Sequence, residues 1–92
     1  MTAEKAAIRE RDFLETEFTK LQGQYLALIV AYTKLNRRSP AEADFRRYFN
    51  VTPPSVHSMI LTLERRGLIK RKAGRSPSIG VLVPPNQIPP LD

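Results

Sequence analysis

The sequence contains no cysteine and a single histidine, His57. Without thiols there is neither a disulfide framework nor a thiolate metal site, and thiol usage says nothing about compartment. One imidazole with no cysteine and no paired carboxylates makes no metal cluster and no nucleophile–base set. An enzyme is therefore not expected, nor a metal or other cofactor. Long apolar runs are missing as well. The longest, "YLALIVAY" from Tyr25 to Tyr32, falls far short of the ~20 residues that span a bilayer. The first residues are charged from Glu4 onward and lack the apolar segment of a signal peptide. A soluble cytoplasmic protein with no membrane partner is the expectation. Acidic residues are scarce in one region: residues 34–75 hold eleven basic and three acidic side chains, a net of +8, whereas residues 1–17 have a net of −2. That asymmetry favours a polyanionic partner for the central region.

At 92 residues the chain is one small domain with a modest core. Residues 3–36 read as helix, with Gly23 the one breaker. Leu14, Phe18, Leu21, Tyr25, Leu28, Tyr32 and Leu35 recur at alternating spacings of four and three, which lines them along one helical stripe. Thr19 and Gln22 form a capping-box pair. Either one long helix runs through this point or a short helix ends there and a new one starts; the pair favours the second. "SPAEADFRRYF" gives a further start, with Ser39 as cap, Pro40 at the first helical position and Glu42 three residues after the cap. The helix runs from Pro40 to Phe49, burying Ala43, Phe45 and Phe49. Asn50 suits a left-handed helix end.

Thr52 is the next cap. Pro53 and Pro54 occupy a first turn whose N–H groups have no intrahelical acceptor, so they cost little there. Val56, Ile60 and Leu63, joined by Met59, form the buried stripe. Ser55, Ser58, Thr62 and Arg65 form a polar one, and Gly67 ends the helix. "LIKRKAGRSPSIGVLV" reads as a hairpin: strands Leu68–Lys72 and Ile79–Val83 around a loop from Ala73 to Ser78. The tail "PPNQIPPLD" is proline-rich and reads as extended over the surface. Three helices and a two-stranded wing, mainly α, make a winged helix-turn-helix. The expected divisions are a helical extension at 1–18, the winged helix at 19–83 and the tail at 84–92.

Residues 19–83 resemble the DNA-binding domain of the LexA repressor family. The resemblance rests on Thr19 with Gln22, on "QYLALIVAY", "SPAEADF" and "FNVTPPSV", on "LTLERRGLIKR" and on "GRSPSI". A glycine often stands in the family where Asn50 stands here. The resemblance implies a bacterial-type transcription regulator in the cytosol or nucleoid, with the start of its third helix in the DNA major groove. The family's asparagine and glutamates in that zone are missing, so its operator sequence does not carry over. The family's self-cleaving protease domain is not expected in a chain ending at Asp92.

Base-facing candidates are Thr52, Pro54, Ser55, His57, Ser58 and Thr62. Short hydroxyl side chains can donate to or accept from base edges. Phosphate and wing candidates are Arg46, Arg47, Arg65, Lys70, Arg71, Lys72, Arg75 and Ser76. Lys70 and Lys72 share one face of a strand, with Arg71 on the other. Four to six phosphate contacts give a log–log salt slope of about −4 to −5. Leu14, Phe18 and Leu21 are candidates for homodimerisation, which would pair two half-sites. No small-molecule effector is evident. The rival reading is a winged-helix adaptor that binds an acidic protein, with the tail as a docking peptide.

Overall fold

The computed structural model describes residues 17–74 and 78–92. Residues 1–16 of the expected 1–18 extension, with Leu14, and Arg75 and Ser76 at the wing tip lie outside the described residues.

Helix α1 spans Lys20–Asn36. It starts where the capping pair predicts. The Gln22 N–H donates to Thr19 Oγ1 at 3.1 Å, and the Thr19 N–H donates to Gln22 Oε1 at 3.0 Å. Residues 22–29 are buried without a break, whereas Leu21 is 49% and Leu35 82% exposed. The expected stripe is therefore not buried at Leu21 or Leu35. The middle of α1 is the central rod of the domain and is covered all round, as a helix with apolar residues on every side must be.

Helix α2 spans Glu42–Phe49, with Ala41 at its cap position. This corrects the expected start at Ser39 and Pro40. The Ser39 hydroxyl is used elsewhere: Oγ accepts the Ile79 N–H at 2.7 Å and donates to the Ile79 carbonyl at 3.4 Å. It thus clasps the wing to the entry of α2. Asp44 takes over the cap, its carboxylate accepting the Ala41 N–H at 2.8 Å and the Arg47 guanidinium at 2.6 Å. The backbone hydrogen bond from Ala41 holds the Asp44 carboxyl below its usual range. Arg47 and the Tyr32 hydroxyl add to this, and partial burial opposes it.

A depressed native pKa stabilises the fold at every pH above the unfolded-chain value near 4, and this is lost as pH falls through the native value. Asp44→Ala is therefore expected to cost about 1 kcal/mol at pH 7, the usual worth of a helix cap. In urea titrations the gap between wild type and variant should close below about pH 4. A gap that persists at pH 2 would show that the carboxylate is not the source. Asn50 takes the expected left-handed conformation at the end of α2, with φ 56°.

Helix α3 spans Pro53–Arg65, with Pro53 and Pro54 in its first turn and the Thr52 hydroxyl accepting the Ser55 N–H. Val56, Ile60 and Leu63 are buried and Met59 half-buried, as their spacing predicts. Gly67, at φ 75°, turns the chain into the wing. Strands β1 (Ile69–Lys72) and β2 (Ser78–Val81) pair antiparallel, with Lys70 opposite Gly80 and Arg71 opposite Ile79. Leu68 and Val83, expected as strand ends, are instead buried core residues flanking the ladder.

The core joins Leu26 and Ile29 of α1 to Phe45, Val56, Ile60 and Leu63, with Leu68, Ile69 and Val83 from the wing. Within it Tyr25 is stacked between Phe45 (5.2 Å between centroids) and Phe49 (4.5 Å). Burial pushes the Tyr25 hydroxyl pKa up. Among the described residues, three α-helices with a two-stranded antiparallel hairpin give the winged helix-turn-helix expected from the sequence.

The tail is not a free strap. It makes one 3₁₀ turn at Pro85–Gln87, and Ile88 and Leu91 pack against the core. The Gln24 side chain donates to the Pro90 carbonyl at 3.0 Å and accepts the Asp92 N–H at 2.8 Å, and the Tyr48 hydroxyl donates to the Asp92 carbonyl. Gly23 makes room for this: a Cβ there would lie 3.0 Å from Pro89 and 2.9 Å from the Phe18 ring.

Candidate nucleic-acid interface

The buried stripe of α3 fixes which side chains face away from the domain. At 100° per residue, Pro54, Ser58, Leu61 and Arg65 fall opposite Val56, Ile60 and Leu63. Pro54, Ser58 and Arg65 are exposed and Leu61 is half-buried. Ser55 and Thr62 turn to one flank. With Met59 they face the start of α1 across a shallow groove whose other wall includes Leu21, Gln22 and Val51. His57 and Glu64 turn to the opposite flank. The expected single polar face thus divides only in part: Ser58 and Arg65 lead an outward line, Ser55 and Thr62 turn into the groove, and Pro54 and Ser58 also line its edge.

The hydroxyls on these faces are not equally free. Thr62 Oγ1 donates to the Ser58 carbonyl at 2.9 Å, a bond within the helix. Thr52 Oγ1 serves the cap and lies 3.0 Å from Ser55 Oγ. His57 Nδ1 lies 3.4 Å from Glu42 Oε2 on α2. Among the described residues, Ser58 is the candidate whose hydroxyl has no internal partner. The polar side chains of the outward line without an internal partner among the described residues are therefore Ser58 and exposed Arg65. Leu61 was missed. Its position three residues after Ser58 and four before Arg65 was the available signal, and an apolar side chain there suits a thymine methyl.

The cations divide the same way. Lys70 and Lys72 are exposed on β1 and share a strand face, as alternation predicts. Arg71 does not join them. Its guanidinium holds Glu64 Oε1 at 2.9 and 3.1 Å, fastening the wing to the end of α3. Arg47 is engaged by Asp44, which leaves exposed Arg46 as the freer of that pair. Arg71 and Arg47, both expected at phosphates, are thus structural first, because each has a carboxylate within reach. Arg66 is structural too. It donates to Gln22 Oε1 at 3.0 Å and to the Glu17 carbonyl at 2.6 Å, tying the end of α3 to the start of α1.

A larger cleft lies between the start of α2, α3 and the wing. It sets Glu42 and Glu64 against Arg38, Arg71 and Lys72, and so offers no single sign of charge. Among the described residues no group of three His, Cys, Asp or Glu side chains could hold a metal ion, and no helix is long and apolar enough to cross a membrane. Of the dimerisation candidates, Phe18 is half-buried against its own core and is not an open contact. Leu21 is exposed.

No family model matches the chain. A segment of it resembles curated LexA repressors. It is 33% identical over 72 residues to the LexA repressor of Thermosipho africanus, covering 78% of this chain and 36% of that protein. It is 37% identical over 57 residues to that of Petrotoga mobilis, covering 61% and 28%. The figures for Thermosipho melanesiensis are 32% over 66 residues, 72% and 33%. The chain spans about a third of the length of these relatives.

Proposed function

We propose that this LexA-like segment is a non-enzymatic transcription regulator that binds double-stranded DNA through α3 and the wing. The outward line of Pro54, Ser58, Leu61 and Arg65 enters the major groove. Lys70 and Lys72 lie against backbone phosphates, with Arg46 and the wing-tip residues Arg75 and Ser76 as further contacts. The observation that carries the reading is the exposed outward face of α3, flanked by a wing where Lys70 and Lys72 are exposed and, among the described residues, unpaired, whereas Arg71 is held by Glu64. The resemblance to repressors supports the same assignment.

The direct-readout surface is small. Ser58 can bond to any base edge, so discrimination falls to Arg65, to the fit of Leu61 and to DNA shape. Modest specificity per monomer follows. The adaptor reading loses its docking peptide, because the tail is held by Gln24 and Tyr48 of its own domain.

Selection from a random duplex library tests the proposal. A short motif is expected, bound with a log–log salt slope of about −3 to −4 for the four cations that remain free or lie at the wing tip. Recovery of no motif, together with an affinity that ignores salt, would sink it. A repeat of the motif one helical turn away would report two copies on paired half-sites.

A further inference from the structure

Each strand of the wing is anchored to a different part of the helical core, and both anchors fall on one rung of the ladder. On β1 the Arg71 guanidinium holds Glu64 Oε1, in the last turn of α3, at 2.9 and 3.1 Å. On β2 the Ile79 N–H donates to Ser39 Oγ, just before α2, at 2.7 Å, and the Ser39 hydroxyl reaches the Ile79 carbonyl at 3.4 Å. Arg71 and Ile79 are direct partners in the ladder. Residues directly opposite in antiparallel strands share a face, and neighbours along a strand alternate. Arg71 and Ile79 therefore lie on the side of the domain, where Ile79 is half-buried against the core. Lys70, Lys72, Ser78 and Gly80 lie on the other side, and all four are exposed. One rung nearer the domain, Ile69 is buried and Val81 packs on the core. Among the described residues, one rung, Lys72 with Ser78, pairs beyond the anchored one. A two-stranded ribbon is marginal in water when left to itself. Its direction is thus set by what holds it.

We propose that Ser39, Glu64 and Arg71 are positioning residues for DNA binding. They clamp the wing at a single rung and hold the Lys70–Lys72 face outward before DNA arrives. With Arg71 drawn to Glu64, strand alternation turns both of its neighbours away from the domain. One hold alone would let the ribbon rock about it. Ser39 supplies the second, on the partner strand and from the entry of α2. None of the three side chains has to touch DNA for this. A wing free to swing must be ordered when it binds, and that ordering lowers affinity without changing the phosphates finally met. A wing correctly aimed one-tenth of the time binds about tenfold more weakly. The clamp stands on contacts within the domain, whereas its effect on DNA binding rests on the function proposed above.

The test uses the full chain. Residual dipolar couplings of the wing amides are recorded without DNA, and affinity and salt slope are measured for a selected duplex. In wild type the wing couplings are expected to fit the alignment of the three helices. A wing that needs a separate or reduced alignment would overturn the clamp, with no variant required. Ser39→Ala changes no charge. It is expected to reduce the wing couplings and to weaken binding by up to about tenfold at an unchanged salt slope. Ser39→Thr keeps the hydroxyl and is expected to behave as wild type; a threonine chain as weak as the alanine one would show that the hydroxyl is not the source. Glu64→Gln with Arg71→Gln removes the ion pair at constant net charge, and is expected to lower affinity and leave the slope as it was. A slope smaller by about 0.9 would put Arg71 on a phosphate and overturn its positioning role. Loosened wings with unchanged affinity would overturn the positioning role of all three residues. Failure of every form to bind duplex DNA would instead overturn the reading of α3 and the wing, while the couplings still decide the clamp.

Discussion

Replacing both Lys70 and Lys72 with glutamine is expected to weaken duplex binding roughly 60-fold at 0.1 M salt. Each phosphate contact on B-DNA contributes about 0.9 to the log–log salt slope, through release of one condensed counterion. Two lost contacts remove about 1.8 from the slope and about 1.8 log units of affinity at that salt, relative to 1 M. Both lysines are exposed on one face of β1 and neither has an acidic partner among the described residues, so glutamine removes charge without breaking an ion pair. Fold stability should change little. Arg71→Gln is the internal contrast. Its guanidinium is spent on Glu64, so its loss should loosen the wing more than it reduces the slope. An adaptor for an acidic protein would bind duplex DNA weakly before and after substitution, near the ~10⁻⁴ M limit of nonspecific association.

Phe45→Ala is expected to lower stability by about 3–5 kcal/mol. Phe45 is 1% exposed and stacks on Tyr25 at 5.2 Å. Its removal leaves a cavity beneath α2 and strips one side of the Tyr25 sandwich, a stack worth about 0.5–1.5 kcal/mol beyond burial. A domain of this size holds only about 5–15 kcal/mol in total. At 4–8 °C per kcal/mol, the melting temperature should fall by at least ~12 °C, or the domain should not fold at 37 °C. Phe49→Ala, at a half-buried position, should cost less. Thermal unfolding followed by circular dichroism measures both. A fall of only a degree or two for Phe45→Ala would mean that the aromatic stack does not hold α2, and with it the position of α3.

These two substitutions also separate what the sequence makes legible from what it hides. The core of α3 was readable because Val56, Ile60 and Leu63 obey a single helical period, and its start because within a helix two prolines fit only the first turn. The restart at Thr19 was readable because a capping box is a local bond pattern. Ser39 misled for a nonlocal reason: a serine before a proline looks like a cap, but its hydroxyl is claimed by Ile79, forty residues later. The fate of each arginine was hidden in the same way. Arg47 and Asp44 are neighbours on a helix, but Arg71 with Glu64 and Arg66 with Gln22 are tertiary pairs that charge counting cannot assign. The tail read as extended because proline blocks regular structure; that Gln24 and Gly23 form its seat depends on the close approach of two distant segments. Of the proposed interface, the helix and the wing were legible. The sorting of their side chains into free and engaged ones was not.

The central claim is that DNA meets the outward line of α3 and the Lys70–Lys72 face of the wing. Isotope-labelled protein titrated with a selected duplex measures this most directly. The account predicts the largest shifts at Ser58, Leu61, Arg65, Lys70 and Lys72, and small ones at Gln24, Tyr48 and the 84–92 tail. Shifts concentrated on the tail and its seat on α1, with α3 unmoved, would contradict it.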